Sequence, residues 1–356
     1  MAISFQLLPE LPVGVKHGVG GIIGQKLYAG LGSSGNAFFV LDLKDMNSGW
    51  KSAADFPGIA RNDAAYTVCG NKLYVFSGAG IEGNNSFPTV LMDGYVFDSQ
   101  INQWKRLERT LPTGFLGASC CSLSPTEIIF FGGYDKDTFN NFLSEISKID
   151  VTKEPNKYKE LITIFMSQPI DNYNWNKNVW SFTPCNEHWS VVGENPFKPN
   201  CGSGIIDKNN VVTLIEGEVK PGLRSLETKR YLFKEGKLEY SDSSASIIDI
   251  CKNHEGLAGH FFGEIDNKII VIGGAYFIGS QDAFIKGNLY AHNGLIKHFS
   301  SNVWIFDGKS WENKCQLDAA GIAYGVSASN GKAMYVLGGE NSNGDAMTRC
   351  LSLLMD

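Results

Sequence analysis

Short apolar runs recur along the whole chain, and each of them stops at glycine. In the first half they read KLYAGLG around Gly30, KLYVFSGAG around Gly78 and IIFFGGY around Gly132, and VVTLIEGE, KIIVIGGA and MYVLGGE follow in the second half. Runs of this length, bounded by glycine, are typical of buried β-strands. A strand repeated over the whole chain predicts an array of one small sheet, which overrides the two or three domains that a length of 356 residues suggests.

A second pattern follows most of these runs: a strand, a turn and an aromatic residue, as in GYVFDSQINQWKRLERTLP. The aromatic residues of the five segments are Trp50, Trp104, Trp189, Tyr240 and Trp311. Each segment is typical of a β-hairpin. With the glycine strand and the apolar strand before it, the hairpin gives a four-stranded unit, which is one blade of a β-propeller. Glycine permits close backbone approach and tryptophan fills space between blades, so we assign both a structural role.

The number of units predicts how the ring closes. The sequence contains six glycine strands but five hairpins, and the residues after Gly339 suffice for one more strand. The N-terminal segment ISFQLLPELP resembles the end of a hairpin such as WKRLERTLP. We therefore predict one all-β domain over residues 1–356, a six-bladed propeller whose N-terminal strand completes the last blade. Closure of the ring removes a sheet edge that would otherwise promote aggregation.

Two intervals between strands are too long for simple turns. Residues 134–178 contain SEISKIDVTKEPNKYKELITIFM, whose spacing allows one or two helices, and residues 275–300 form a second insertion. Long ordered insertions in compact folds are often functional. Both follow a glycine strand, so we expect both on the same face of the propeller.

Composition excludes several classes of partner. The formal charge is -6 and the chain has no basic run, so nucleic acid is not an expected partner. No 18-residue apolar run is present, which argues against a membrane span. The start MAISFQLLPELP lacks the features of a signal peptide, so we expect a cytoplasmic protein; a periplasmic location stays open if a leader has been removed.

The sequence also lacks the marks of several enzyme classes. It has no GxSxG elbow and no P-loop, and GVGGIIG at Gly18–Gly24 does not lead from a strand into a helix. None of the eight cysteines forms a CxxC pair, and the histidines form no HxH or HxxxH set. We therefore expect no metal site, no cofactor and mostly buried free thiols.

The fourth glycine strand carries the candidate chemistry, because it ends in EGEVKPGLR. Alternation along a strand would place Glu216 and Glu218 on one face and aim Glu218 at the mouth of the central channel. The stiff turn Pro221–Gly222 would bring Arg224 back toward it. A carboxylate beside a guanidinium could bind a carboxylated substrate next to an acid/base group. The alternative is a solvated loop with a surface ion pair.

The motif and several other stretches resemble one known family. GEVKPGLR at Gly217–Arg224, YAHNGLIKHFS at Tyr290–Ser300, YAGLGSSGNAFFVLD, FPGIARND and AYGVS are similar to segments of the N-acetylneuraminate epimerases, or sialic acid mutarotases, which are bacterial six-bladed Kelch propellers. The resemblance covers nearly the whole chain. It implies an isomerase that interconverts the α and β anomers of N-acetylneuraminic acid without metal or redox cofactor. A non-catalytic Kelch module that binds a glycan or protein is the alternative.

The resemblance also implies roles for single residues. The glutamate of the family motif is the proton acceptor and its arginine is essential, which gives Glu218 and Arg224 as catalytic residues. The sequence departs from the family at Ile322, where relatives tend to carry arginine, and at Ser119, which replaces a histidine. We expect these two differences to alter substrate contacts more than proton transfer.

Further residues are candidates for binding the sugar acid. Lys220 could help Arg224 to bind the carboxylate, and His292 beside Tyr290 could donate to a sugar hydroxyl. Packing of that histidine inside the loop is the alternative. Arg61 could bind a substrate oxygen or join two blades, and the sequence does not separate the two interpretations. Lys16–His17 precede the first glycine strand and could face the same mouth.

Overall fold

Each repeat of the sequence forms one four-stranded antiparallel sheet, and six such sheets are present in the described part of the chain. The structure is a computed structural model that describes residues 3–245, 247, 254–317 and 320–355. We number the sheets as blades 1 to 6 in chain order. The first strands of neighbouring blades contact one another all the way around the ring, so these strands surround the central axis. The predicted six-bladed propeller is confirmed.

The strand bounds of the first three blades follow in chain order. Blade 1 comprises Val19–Ile23, Lys26–Gly30, Phe38–Asp42 and Lys51–Ser52. Blade 2 comprises Ala65–Cys69, Lys72–Phe76, Gly94–Asp98 and Gln103–Arg106. Blade 3 comprises Ser119–Ser124, Glu127–Phe131, Asn178–Thr183 and His188–Glu194.

The last three blades have the same order. Blade 4 comprises Gly204–Lys208, Val211–Ile215, Glu227–Lys234 and Lys237–Ala245. Blade 5 comprises Phe261–Ile265, Lys268–Ile272, Asn302–Phe306 and Trp311–Gln316. Blade 6 comprises Val326–Ser329, Ala333–Leu337, Cys350–Met355 and the N-terminal strand Ile3–Leu8.

Both ends of the chain build blade 6. The strand Ile3–Leu8 pairs antiparallel with Cys350–Met355, in a register that runs from Ile3 opposite Met355 to Leu8 opposite Cys350. The predicted closure by the N-terminal strand is therefore confirmed. Leu8 is buried in the core between blades 6 and 1, which couples the two ends of the chain by packing as well as by hydrogen bonds.

The first insertion contains two helices, as its spacing allows, and the second contains a helix and a hairpin. The first holds helix α1, Lys136–Ser147, and helix α2, Pro155–Met166; the second holds helix α3, Ser280–Ile285, and the hairpin Ala275–Phe277 with Lys297–Phe299. Two more short hairpins pair Ala79–Gly80 with Thr89–Val90 and Glu218–Lys220 with Leu223–Arg224. No described helix is long and apolar enough to cross a membrane. The short 3-10 turns are Gly32–Ser34, Met46–Ser48 and Ile170–Tyr173.

Aromatic side chains fill the space between blades, as the sequence predicts. Trp104 of blade 2 lies 5.1 Å, between ring centroids, from Phe38 of blade 1 and from Phe56 in the following loop. Its indole nitrogen donates to the Ala54 carbonyl at 2.9 Å. Full burial of one phenylalanine contributes about 1.5–3 kcal/mol, so aromatic side chains packed between blades stabilise the propeller strongly. The buried free thiols among the described residues include Cys69, Cys120, Cys121, Cys201 and Cys350, and Cys251 lies outside the described residues.

A ring of backbone hydrogen bonds surrounds the axis just before the first strands. Each blade contributes the residue two positions before its first strand, and each backbone N–H donates to the carbonyl of the equivalent residue in the adjacent blade at 2.7–3.1 Å. All these residues have left-handed backbones, with φ between +53° and +70°. We call them the axial ring: His17, Asp63, Gly117, Gly202, Gly259 and Tyr324.

Candidate active site

The axial ring lies in the wall of a central cavity of about 730 Å³. Every blade contributes the segment that leads into its first strand, and all members of the axial ring contact the cavity. Side chains from outside these segments also line it, namely Tyr134, Phe139, Glu218 and Lys297. A cavity of this size is in the range that holds a small organic ligand.

Glu218 reaches the cavity because the chain leaves blade 4 abruptly. After Ile215 the backbone is left-handed at Glu216, φ +46°, and at Gly217, φ +84°. A side chain at Gly217 would overlap Ser203 and the Cys201 carbonyl, so glycine is required there. Glu218 then pairs by two backbone hydrogen bonds, of 2.7 and 2.9 Å, with Cys201. This pairing fixes Glu218 beside the axial ring, as the motif predicts.

The expectation that Glu216 shares the face of Glu218 is wrong. Simple alternation fails because the left-handed backbone at Glu216 and Gly217 rotates the chain between the two carboxylates. Glu216 is buried, accepts from the Leu257 N–H at 2.6 Å and is paired with His254. Its carboxylate therefore supports the loop before blade 5.

Arg224 lies behind Glu218 in the short hairpin. Its Nη1 is 3.1 Å from Glu218 Oε1, an ion pair without the alignment of a hydrogen bond. Its Nε donates to the Ala275 carbonyl at 3.2 Å, and the guanidinium lies 4.8 Å from the centroid of the Phe277 ring. The Arg224 side chain is 1% exposed and does not line the cavity. This location corrects the expectation that Arg224 clamps the substrate carboxylate directly.

Lys220 also has a different place from the predicted one. Its ammonium is buried and donates to the carbonyls of Met166, Gln168 and Leu289 at 3.0, 2.6 and 2.6 Å. Desolvation lowers the pKa of Lys220 to about 8. The first two carbonyls belong to the first insertion and the third to the second. Lys220 therefore joins the two insertions, which confirms that they meet on one face of the propeller. Its side chain does not line the central cavity.

His292 and Tyr290 pack behind the motif. The ring of His292 lies against Gly222, 4.9 Å from Phe277 and 5.0 Å from Tyr290 between ring centroids. Burial lowers the pKa of His292 to about 4, and the charges of Arg224 and Lys220 lower it as well. Neither aromatic side chain lines the cavity, so this site supports the packing alternative.

The position of Arg61 agrees with the second of its two interpretations, a link between blades, because its carbonyl accepts from the Gly32 N–H next to blade 1 at 3.1 Å and its side chain contacts blade 2. Its side chain is fully buried and donates to the carbonyls of Ile59 and Ser77 at 3.0 Å and to Asp93 at 2.8 Å. The guanidinium lies between the rings of Phe56 and Tyr95. The expectation that Arg61 binds substrate is therefore not supported by its position.

The two departures from the family pattern have different environments. Ser119 lines the cavity and donates to the Ser203 carbonyl at 2.9 Å, so it can alter contacts with a ligand as expected. Ile322 is 7% exposed in the apolar core between blades 5 and 6, and its carbonyl accepts from the Gly274 N–H. The Ile322 side chain therefore does not contact the cavity in this structure.

Several polar residues at the cavity were missed or only touched on by the sequence reasoning. His17 lines the cavity, as the expectation for Lys16–His17 allows, while the sequence analysis does not identify Asp63, Tyr324 or Lys297. Lys297 pairs with Glu340 at 2.9 Å. Alignment of the six repeats would have revealed Asp63 and Tyr324, because glycine occupies the equivalent position in blades 3, 4 and 5.

Among the residues that the structure describes, no group of three or more His, Cys, Asp or Glu side chains is arranged to bind a metal ion. The carboxylate, imidazole and phenol groups that line the cavity are suited to proton transfer, and Glu218, with its side chain 21% exposed, is the carboxylate of the motif that faces the cavity.

Comparison with known proteins identifies one family. Residues 8–356 match the family model described as N-acetylneuraminate epimerase. The N-acetylneuraminate epimerase of Vibrio vulnificus is 37% identical over 350 residues, which cover 98% of this chain and 91% of the relative. That of Vibrio cholerae is 38% identical over 335 residues, 94% of this chain and 87% of the relative.

A solved structure is similar over the same span. The structure of YjhT superposes with a TM-score of 0.88 at 30% identity, and the match covers 96% of this chain and 95% of that one. The matches to the family model, the relatives and the solved structure each cover nearly the whole chain. The chain belongs to the N-acetylneuraminate epimerase family.

Proposed function

We propose that the chain acts as an N-acetylneuraminate epimerase, an isomerase that interconverts the α and β anomers of this sugar acid, and that Glu218 exchanges the proton. One observation carries the residue assignment: Glu218 is fixed beside the axial ring with its carboxylate toward the cavity and a buried guanidinium behind it. The ionised form of a carboxylate is the form that accepts a proton.

The reaction needs proton transfer and no change of oxidation state. Glu218 takes the proton of the anomeric hydroxyl, and the O–H electron pair forms the carbonyl of the open chain. The bond from the anomeric carbon to the ring oxygen breaks, and its electron pair stays on that oxygen, which is protonated. Rotation about one carbon–carbon bond presents the other face of the carbonyl. Closure by the reverse proton transfers gives the second anomer.

Arg224 supports this step from behind Glu218. Its Nη1 and the Gly222 N–H both lie next to Glu218 Oε1, at 3.1 and 3.2 Å. One carboxylate oxygen is therefore held by the hairpin while the other is free to face the substrate. Arg224 is a positioning residue in this proposal, because it acts through Glu218.

The substrate carboxylate needs a cation on the cavity wall. Lys297 is the lysine among the described residues of the lining, which include no arginine, and 38% of its side chain is exposed. Its ammonium also lies 5.3 Å from the centroid of the Tyr324 ring, on the wall of the same cavity. We assign Lys297 this role in place of the buried Arg224.

The proposal is tested by the rate of anomeric exchange, measured by NMR with and without protein. Glu218→Gln keeps the shape of the side chain and removes the base, so we expect the acceleration to fall about 10²–10⁴-fold. Glu194→Gln, at an exposed position of blade 3, is the matched control and should keep the full rate. Wild-type protein that binds the sugar acid without accelerating exchange would instead identify a binding module.

A further inference from the structure

The axial ring is chemically divided into two halves. Blades 3, 4 and 5 place glycine at the left-handed position, whereas blades 6, 1 and 2 place Tyr324 at φ +59°, His17 at φ +54° and Asp63 at φ +53°. Side chains are disfavoured in this conformation, and such backbones are concentrated at functional sites. Three consecutive blades therefore keep side chains at a position where the other three keep none.

These three side chains form one connected cluster. His17 Nδ1 is 2.8 Å from Asp63 Oδ1, and the imidazole stacks on the Tyr324 ring at 4.8 Å between centroids. A carboxylate at Nδ1 fixes the orientation of the imidazole. His17 Nε2 lies 3.5 Å from Glu340 Oε2, beyond a good hydrogen bond. Asp63 therefore holds one edge of the His17 imidazole and Tyr324 covers one of its faces, while the imidazole lines the cavity.

The cluster faces the same space as Glu218. In a ring of six blades, blade 1, which follows His17, lies opposite blade 4, which carries Glu218. Burial raises the pKa of the Tyr324 phenol, and the carboxylates of both Glu218 and Asp63 raise it further. Tyr134 is affected in the same way by the same two carboxylates. A ligand in the cavity therefore lies between Glu218 and the His17 cluster.

We propose that His17, oriented by Asp63 and Tyr324, is the second proton-transfer residue of the site and exchanges the proton of the ring oxygen. This inference rests on the proposed function. Opening the sugar ring requires one group to accept the hydroxyl proton and another to protonate the ring oxygen. A single carboxylate does both only in sequence, whereas two groups on opposite sides do both together.

The proton transfers balance over one turnover. In ring opening, Glu218 takes the proton of the anomeric hydroxyl, and the imidazolium of His17 gives its proton to the ring oxygen as the carbon–oxygen bond breaks. In ring closure, neutral His17 takes that proton back from the attacking hydroxyl, and protonated Glu218 returns its proton to the carbonyl oxygen. Both residues end in their starting forms, and no other reactant is needed.

The charges around His17 favour this starting form. Burial lowers the pKa of His17, but the charge and hydrogen bond of Asp63, with the charge of Glu340, outweigh burial and the opposing charge of Lys16. The net pKa lies above the ordinary value, so the imidazolium persists to higher pH. Lys297 also faces the cluster, through its ion pair with Glu340. Activity should fall as the pH rises through the pKa of His17.

The test uses two asparagine substitutions, because asparagine tolerates the left-handed backbone. His17→Asn removes the imidazole, and we expect the enzyme-dependent exchange rate to fall about 10²-fold or more. Asp63→Asn keeps the shape and removes the charge, so the alkaline limb of the pH–rate profile should move to lower pH. His188→Asn, at an exposed position of blade 3, is the control. Spontaneous exchange is subtracted at each pH.

The outcomes separate this inference from the proposed function. If wild-type protein does not accelerate exchange, the proposed function fails. If wild type accelerates exchange and His17→Asn keeps its rate within about threefold, or Asp63→Asn leaves the alkaline limb in place, the inference about His17 is overturned, since a general acid contributes 10²–10⁴-fold. If His17→Asn does not fold, as judged by circular dichroism, the Asp63→Asn profile decides alone.

Discussion

Substitution of Gly222 by alanine tests how tightly the hairpin of Glu218–Lys220 with Leu223–Arg224 is packed. Gly222 has φ +79°, and a Cβ atom there would overlap the imidazole of His292. The left-handed backbone costs a residue with a side chain roughly 1–2 kcal/mol. Forcing an extra methyl into a packed site costs about 1–3 kcal/mol more. We therefore expect Gly222→Ala to lower the free energy of unfolding by about 2–5 kcal/mol, the sum of the two effects.

A second glycine of the same region separates the cost of the steric overlap from the cost of the left-handed backbone. Gly294 lies in the second insertion with φ +74°, and nothing lies within 4 Å of the Cβ position. Gly294→Ala should therefore show only the backbone effect of roughly 1–2 kcal/mol. Truncation of His292 to alanine in the Gly222→Ala background removes the overlapping ring. The double-mutant cycle should give a favourable coupling of about 0.5–3 kcal/mol.

Activity should follow the same geometry. The Gly222 N–H donates to Glu218 Oε1 at 3.2 Å, so displacement of the turn also moves the carboxylate. A misplacement of about 1 Å can cost ~10²-fold in rate. Urea unfolding gives the stability, and anomeric exchange by NMR gives the activity. Equal destabilisation by Gly222→Ala and Gly294→Ala would refute the packing argument, as would an unchanged exchange rate in Gly222→Ala.

Two further predictions concern Arg224 and the closure of the ring. Arg224→Lys keeps the charge but loses the planar guanidinium that contacts both Glu218 and the Ala275 carbonyl. The value of kcat should therefore fall with little change in KM. A rise in KM alone would instead support direct binding of the substrate carboxylate by Arg224. Deletion of residues 1–8 removes the outer strand of blade 6 and the buried Leu8, whose burial alone contributes about 1.5–3 kcal/mol, so the melting temperature should drop and light scattering should show aggregation. A monodisperse truncated protein with an unchanged melting temperature would contradict the importance of closure.

The propeller could be predicted because its signals are local and repeated. A strand that ends in glycine needs only its own residues to be recognised, and the count of strands against hairpins then assigns Ile3–Leu8 to blade 6. The helices of the first insertion follow from apolar spacing in the same way. Each of these inferences depends on near neighbours in the sequence, where periodicity is informative.

The roles of the buried cations could not be predicted in this way. Arg61, Lys220 and Arg224 look alike in sequence as free positive charges, yet each is fully buried against backbone carbonyls or rings. The partners of Lys220, the carbonyls of Met166, Gln168 and Leu289, all lie more than fifty positions away along the chain. A long side chain can reach either solvent or a distant carbonyl, and only the tertiary structure distinguishes the two.

The repeat that makes the fold predictable also explains how an asymmetric site arises in a nearly symmetric ring. The axial ring needs one left-handed residue from every blade, and glycine satisfies that need at the lowest conformational cost. Glycine in blades 3, 4 and 5 leaves space beside the axis, and the hairpin of blade 4 places Glu218 next to it. Tyr324, His17 and Asp63 occupy the opposite half. The backbone ring therefore sets the spacing between the two halves, and a substrate held between them would lie next to both of the proposed proton-transfer groups, Glu218 and His17.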